Sequence, residues 1–261
     1  MSVKAIILSA GQGKRLLPLT ARSPKCTVAV GGRPLIEWQL DHLARCGVHD
    51  VTVVTGFGAD HVDLLLAQRP TAGRVRTLYN PEFAVADNLV SCWMARVEMT
   101  SDFVLLNGDT VFEPAVLERL LNAPPQPVTL AINRKAHYDD DDMKVQLAGE
   151  RLLQVGKGLP LDQVDGESIG VMRFVGNGPR LFREALERAV QRRESRHQYY
   201  LSVIGELAKA GHVWTRDISG LEWSEIDYPL DLGRASKMAA GWVEAAEAPV
   251  PSSGRSPALA H

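Results

Sequence analysis

The sequence predicts an α/β fold built on a mostly parallel sheet, and three observations lead there. Short aliphatic runs alternate with stretches of helical periodicity from residue 3 to residue 132, the rhythm of repeated strand–helix–strand units. The first run is apolar on both faces, as strands covered by helices on both sides are. A glycine-rich turn stands directly after it, where an open parallel sheet places its ligand crevice.

Taken in order, Val3 to Leu8 reads as a buried strand stopped by Gly11 and Gly13. Pro34 opens a helix to Cys46, with Leu35, Ile36, Leu40, Leu43 and Ala44 on one side and Gly47 as the stop. Val51 to Val54 is a strand and Asp60 to Gln68 a helix; Val75 to Tyr79 is a strand and Asn88 to Glu98 a helix. Asp102 to Leu106 is a strand, Pro114 to Leu121 a helix and Val128 to Ile132 a strand. Then the rhythm changes. Met143 to Leu147, Leu152 to Val155 and Ser168 to Phe174 are strand-like without helices between them, so an antiparallel extension of the sheet is expected. Pro179 to Gln191 and Leu201 to Ala210 read as helices, Val213 to Ile218 as a strand and Pro229 to Val243 as the last helix. The simplest organisation is one Rossmann-like domain over residues 1–245. The Pro/Ser/Ala-rich segment 246–261 is expected to form a flexible tail, because it cannot bury enough apolar surface to offset its ordering entropy.

Composition narrows the function classes. The chain has 261 residues, 45% of them hydrophobic, and 29 Lys+Arg against 31 Asp+Glu give a net charge of -2. Bulk charge therefore supplies no drive toward nucleic acid or an anionic membrane, and any phosphate binding must be local. Cys26, Cys46 and Cys92 are odd in number and lack any C-x-x-C, so no disulfide framework or zinc site is indicated and a reducing cytoplasm is the expected home. The longest apolar start is too short for a signal sequence or membrane span. The histidines up to His212 show no spacing for a catalytic dyad or metal site.

Ser9-Ala10-Gly11-Gln12-Gly13-Lys14-Arg15 follows the first strand. Its two glycines let main-chain N–H groups approach a ligand, while Lys14 and Arg15 add charge suited to a polyphosphate. A dinucleotide fingerprint would need glycine at Leu16; a P-loop would need glycine at Leu8 and Ser or Thr at Arg15. Lys25, after Pro24, lies in a segment without helical periodicity and can fold back as a second cation. Asn107-Gly108-Asp109 places a carboxylate at a strand's carboxyl end, where it can hold a divalent cation, and Gly108 is expected to give the ligand room. Magnesium takes one or two protein carboxylates and completes its shell with water and phosphates, so one further acid would suffice. The run Asp139 to Asp142 reads better as a solvated turn than as a metal cluster, since adjacent carboxylates repel and point apart.

These three motifs, A-G-x-G-x-R, P-K and G-D-T in that order, resemble the nucleotidyltransferases that make nucleoside-diphosphate-activated sugars and alcohols. As far as about residue 245 the chain resembles the small CTP cytidylyltransferases acting on phosphocholine and related phospho- or phosphono-alcohols. The stretches that carry this are Asp142-Met143-Lys144-Val145, Gly156-Lys157, Gly166-Glu167-Ser168-Ile169-Gly170, and Trp223-Ser224-Glu225-Ile226-Asp227-Tyr228-Pro229. The resemblance implies a nucleotidyltransferase-type fold and Mg²⁺ held by Asp109 and Asp227. Glu225 alternates with Asp227 on one side of an extended stretch, so either can face the metal while Ile226 packs.

It further implies a triphosphate held by Ala10, Gly11, Gly13, Lys14 and Gly108, with Arg15 at its β/γ end and Lys25 at the α-phosphate. Lys157 is a third cation toward the acceptor, and Asn88, Glu167 and Glu225 are substrate contacts. Tyr138, Trp93, Trp223 and Tyr228 are candidates for a quaternary-ammonium cage. Asn88, with Ser91, matches a helix-start stretch of the relatives, although Asp87 or Asn88 as an N-cap accounts for the same residues. The expected partners are a nucleoside triphosphate, with CTP favoured, and a small phosphorylated or phosphonate acceptor. Transfer to a sugar-1-phosphate or inositol phosphate with UTP, GTP or CTP stays open, as does a non-catalytic nucleotide-binding subunit. Oligomeric state is equally open: the helices over 179–191 and 201–210 either form a homodimer interface or only cover the sheet.

Overall fold

A computed structural model describes residues 3–69 and 73–247 of the chain. Its first half runs β1 (Lys4–Ser9), β2 (Ala29–Val30), β3 (Arg33–Pro34), α1 (Leu35–Arg45), β4 (Asp50–Thr55), α2 (Ala59–Ala67), β5 (Arg74–Tyr79), α3 (Asn88–Met94), β6 (Phe103–Asn107), β7 (Thr110–Phe112), α4 (Pro114–Leu121) and β8 (Val128–Asn133). The second half adds β9 (Lys144–Ala148), β10 (Arg151–Gly156), β11 (Gly166–Phe174), α5 (Gly178–Val190), α6 (Leu201–Lys209), β12 (Val213–Asp217), β13 (Trp223–Glu225) and α7 (Pro229–Glu247). The last helix thus continues past Val243, and the rest of the expected tail, 248–261, lies outside the described residues. Among the described residues no helix is long and apolar enough to cross a membrane.

Nine strands form one sheet in the order β5-β4-β1-β6-β11-β8-β12-β10-β9. β1 pairs parallel with both β4 and β6, and β4 with β5. The chain therefore leaves β1 to one side and returns to its other side, so the carboxyl ends of β1 and β6 flank a topological switch point, the place where such sheets hold ligands. The antiparallel strands do not all extend an edge as expected. β9 and β10 do, but β11 is inserted in mid-sheet, antiparallel to β6 and β8 on its two sides. Its burial is near-complete, which suits a central position better than an edge.

Alternation along the strands feeds two cores. Ile6 and Leu8 of β1, with Phe103 and Leu105 of β6, face a core closed by α3, α5 and α6. There the rings of Phe103, Phe174 and Phe182 stack in sequence at 4.4 and 4.6 Å. Ala5 and Ile7, with Val104 and Leu106, face the opposite core under α1, α2 and α4. A third cluster joins Leu16, Val30, Leu35, Trp38, Ile226 and Trp242. It seats the loop after β1 and the helix α7 against each other, which fixes the walls of the crevice.

Candidate active site

The loop after β1 is held down by what it buries. Leu16 and Cys26 are essentially inaccessible, each within a single 3-10 turn, Lys14–Leu16 and Lys25–Thr27. Anchoring those two residues turns their neighbours Arg15 and Lys25 toward the crevice. The stem of Lys25 lies across Gly13, which has φ 74° and where a Cβ would meet it at 2.9 Å. The Lys25 ammonium donates to Asp109 Oδ2 at 2.7 Å and to Asp227 Oδ1 at 2.5 Å. Burial opposes its charge, but the two carboxylates outweigh that and hold it above its usual value. Arg15 Nη1 donates to Asp227 Oδ2 at 2.9 Å, lies 3.7 Å from Asp141, and sits over the Tyr228 ring at 5.4 Å.

Asp109 and Asp227 meet because of a pairing with no local signal in the sequence. β7, just after Asp109, pairs antiparallel with β13, placing Thr110 opposite Glu225. The Ile226 N–H then donates to the Asp109 carbonyl at 2.9 Å, and the Ile226 side chain is fully buried. The expected alternation holds: Ile226 packs while Glu225 and Asp227 face the crevice. Glu225 is exposed to the crevice, yet the crowded walls, which strip part of its hydration, and the nearby Asp109 and Asp227 carboxylates push its carboxyl up to about 8. Asp231 Oδ2 accepts from the N–H groups of Asp227 and Tyr228, so it serves the first turn of α7 rather than a ligand.

Two cavities meet at this point. A smaller one of about 270 Å³ is lined by Ala10, Gly11, Phe83, Asn88 and Asp109 among others. A larger one of about 710 Å³ includes Arg15, Lys157, Glu167, Glu225, Asp227 and Tyr228 in its walls. Asn88, Asn107, Asp109 and Tyr199 line both.

Lys157 Nζ donates to Asp141 at 2.9 Å and faces the Tyr199 ring. Glu167, 3% exposed, accepts from Lys135 at 2.7 Å and Asn133 at 3.1 Å; burial still raises its carboxyl. Asn88 Oδ1 accepts from the Tyr200 main-chain N–H at 3.0 Å, while the N-cap position of α3 falls to Asp87. Ser91 is buried and accepts from Asn80.

At Gly108 a Cβ would stand 2.2 Å from Ser9 Oγ and 2.5 Å from the Leu8 carbonyl, so the glycine allows the close approach of β6 to β1 just before Asp109. Lys14 is exposed, is absent from both cavities, and forms no ion pair among the described residues. Gly13 shapes the path of Lys25 instead of lining a cavity. The four-aromatic cage does not assemble either. Trp223 and Tyr228 line the larger cavity, but Trp93 packs against the core beneath Arg96, and Tyr138 belongs to a separate pocket with His137 and Leu161. The Asp139–Asp142 run is a turn tied by ion pairs, Asp141 to Lys157 and Asp142 to Lys135. Asn107, Lys135 and Tyr199 also line the larger cavity, and no local sequence pattern marks them for it.

The donor set fits a magnesium ion. Asp109 Oδ1 is buried with no hydrogen-bond partner, and the Asp227 carboxylate stands beside it across Lys25. Magnesium takes one or two protein carboxylates and completes its shell with water and phosphates, so two acids suffice for it.

Residues 5–203 match the family described as the MobA-like NTP transferase domain. The chain is 34% identical over 241 residues to the CMP-5'-(3-aminopropyl)phosphonate synthase of Streptomyces rubellomurinus, covering 89% of this chain and 38% of that protein. It is also 34% identical over 111 residues to the choline-phosphate cytidylyltransferase of Streptococcus pneumoniae, covering 42% and 47%. The chain thus spans half or less of the length of these two relatives. Among solved structures, the inositol-1-phosphate CTP transferase from T. maritima superposes with a TM-score of 0.79 over 93% of this chain and 97% of that one at 21% identity, which establishes a shared fold.

Proposed function

The chain belongs to the MobA-like NTP transferase family, and on that premise we propose that it transfers CMP from CTP to a small phosphonate or phosphate acceptor bearing a cationic amine, with release of pyrophosphate. The observation that carries this reading is the convergence of Lys25, Asp109 and Asp227 where the two cavities meet. The smaller cavity takes the nucleoside end of CTP and the larger takes the acceptor. Leaving aside Glu225, whose carboxyl is raised to about 8, eight acidic side chains against four cationic ones line the larger cavity, a field that favours a positively charged acceptor tail. Relatives named for aminopropylphosphonate and choline phosphate support the same choice.

An acceptor oxygen attacks the α-phosphorus of CTP. As that bond forms, the bond from the α-phosphorus to the bridging oxygen breaks, and its electron pair leaves on pyrophosphate. The attacking oxygen is already anionic, so no general base is needed, and the protein's task reduces to positioning and charge stabilisation. Lys25 neutralises the α-phosphate, Arg15 binds the β/γ end, and Lys157 faces the acceptor's anionic group. Asp109 and Asp227 would hold Mg²⁺, which supplies charge neutralisation to the triphosphate and the leaving group.

The test is pyrophosphate release with magnesium, using CTP, UTP, GTP and ATP against phosphocholine, phosphoethanolamine, aminoethylphosphonate, inositol-1-phosphate and glucose-1-phosphate. The expected result is CTP with an amine-bearing acceptor. Preference for UTP with glucose-1-phosphate, or for inositol-1-phosphate, would reassign the acceptor class. Silence across the whole panel would contradict nucleotidyl transfer.

A further inference from the structure

Asn107, the last residue of β6, is one of four residues that line both cavities. Its main chain and its carboxamide are each fixed by one hydrogen bond, and a glycine leaves room for the amide. The Tyr200 hydroxyl donates to Asn107 Oδ1 at 2.9 Å. The Asn107 carbonyl accepts from Gln39 Nε2 at 2.7 Å, which fixes the main chain beneath it. Gly170, with φ 73°, lets the amide nitrogen lie where a Cβ would come within 2.4 Å of it, so any other residue there would displace the amide.

Tyr200 is fully buried, and its hydroxyl donates to the amide oxygen of Asn107. That bond sets the orientation of the carboxamide. The oxygen is turned to Tyr200, and the NH₂ group is left without a protein partner among the described residues, beside Gly170 in the wall of the larger cavity. Asn88 repeats the arrangement, with its oxygen taken by the Tyr200 main-chain N–H. One buried tyrosine therefore sets two amide donors at the border where the nucleotide and acceptor cavities join.

We propose that Asn107 is a catalytic residue whose Nδ2 donates to a non-bridging oxygen of the α-phosphoryl group during transfer, and that Tyr200 is the positioning residue that aims it. The inference rests on the CMP-transfer reading above and deepens it. Negative charge spreads over the non-bridging oxygens as the acceptor oxygen bonds to phosphorus and the electron pair of the breaking bond leaves on pyrophosphate; no proton moves, and Asn107 keeps both its hydrogens. A fixed neutral donor at that point stabilises developing charge without reorganising. Its neutrality matters beside Asp109 and Lys25, where a further charge would disturb the ion pair.

The test compares wild type with Asn107→Ala, Tyr200→Phe and the double variant, the double being included because it leaves no orphaned hydroxyl behind. Each is measured with CTP and with the separate Rp and Sp diastereomers of CTP bearing sulfur on the α-phosphorus. The expected result for Asn107→Ala is a kcat lower by on the order of 10² at an unchanged KM for CTP. Its Rp/Sp preference should shift by about tenfold, because the lost donor addresses one of the two non-bridging positions. Tyr200→Phe should move both quantities the same way by less, and the double variant should match Asn107→Ala, since the tyrosine acts through the asparagine.

Wild-type turnover with an unaltered diastereomer preference in a folded Asn107→Ala protein overturns the inference and leaves the CMP-transfer reading standing. The same holds if the double variant unfolds and Tyr200→Phe keeps the wild-type preference. Absence of turnover by wild type with every acceptor overturns the reading and the inference together.

Discussion

Asp109 and Asp227 accept hydrogen bonds from the same nitrogen, the ammonium of Lys25, at 2.7 and 2.5 Å. A lysine thus occupies the place between two carboxylates that a divalent cation would share, and cation binding must hand that ammonium over to the phosphates. Asp109→Asn and Asp227→Asn, which keep side-chain size, are expected to lower turnover on the order of 10²–10³ with an unchanged circular dichroism spectrum. Retained turnover in either folded variant would remove that acid from the site.

Lys25→Met keeps the stem against Gly13 and removes the charge. It leaves two facing carboxylates without their ammonium, so the nucleotide-free protein should bind Mn²⁺ more tightly than wild type while turnover falls by a comparable 10²–10³. Electron paramagnetic resonance of free Mn²⁺ reads the first effect. Weaker Mn²⁺ binding by the variant would show that the two acids do not form the cation site.

Arg15 binds Asp227 from the exposed side of the crevice and stacks over Tyr228. Its assigned partner is the far end of the triphosphate, equally in ground and transition states. Arg15→Ala should therefore raise the KM for CTP on the order of tenfold with little change in kcat. A loss confined to kcat would place the guanidinium at the reacting phosphorus instead.

His42 is 1% exposed among Trp38, Phe112 and Trp242, with ring distances of 5.8, 6.0 and 5.5 Å. Burial, only partly offset by a bond to the Phe112 main chain, pushes its imidazole down from 6.5 to about 4. Its folded value lies below its unfolded one, so the unfolded chain binds more protons between pH 4 and 6.5 and stability rises with pH across that window. The contribution is complete above pH 6.5 and lost on acidification to about pH 4, a change of about 3 kcal/mol. Urea unfolding at pH 7 and pH 4.5 should show this drop in wild type and a smaller one in His42→Gln. Equal drops would place the sensitivity elsewhere.

Much of this architecture was legible in local pattern. The strands and helices expected through Val128 to Asn133 fall within one residue of their boundaries, except that α3 stops at Met94, four residues before the expected Glu98, where the chain tightens into a 3-10 turn; their apolar periods and stop signals are written locally in the sequence. The Gly11–Arg15 turn, Lys25, Asp109 and Asp227 were legible by motif, and they converge. The device that brings Asp227 to Asp109 was not, since three-residue strands such as β7 and β13 have no periodicity to detect. The contact that requires glycine at 108 was not legible either, since what a Cβ there would touch, here Ser9, depends on the neighbouring strand. No role was read for Asn107 within Asn-Gly-Asp, because the buried Tyr200 hydroxyl that takes its amide oxygen comes from a segment 93 residues away.

Trp242 secures α7 and through it the Asp227 turn. It is 8% exposed, lies edge-on to Trp38 at 5.7 Å, and donates from its indole N–H to Glu222 at 2.6 Å. Trp242→Ala should cost about 3–5 kcal/mol by denaturant titration. A cost within 0.5 kcal/mol, the range of ordinary surface changes, would mean that α7 is dispensable to the third core.

The most direct measurement follows the α-phosphorus itself by ³¹P NMR in a reaction of this protein with Mg²⁺, CTP and aminoethylphosphonate. The account predicts that the CTP resonances give way to free pyrophosphate and to a coupled pair of signals from a new P–O–P linkage joining CMP to the phosphonate. Conversion of CTP to CMP without that coupled pair, or CTP left intact while the same protein consumes another nucleotide, would contradict it.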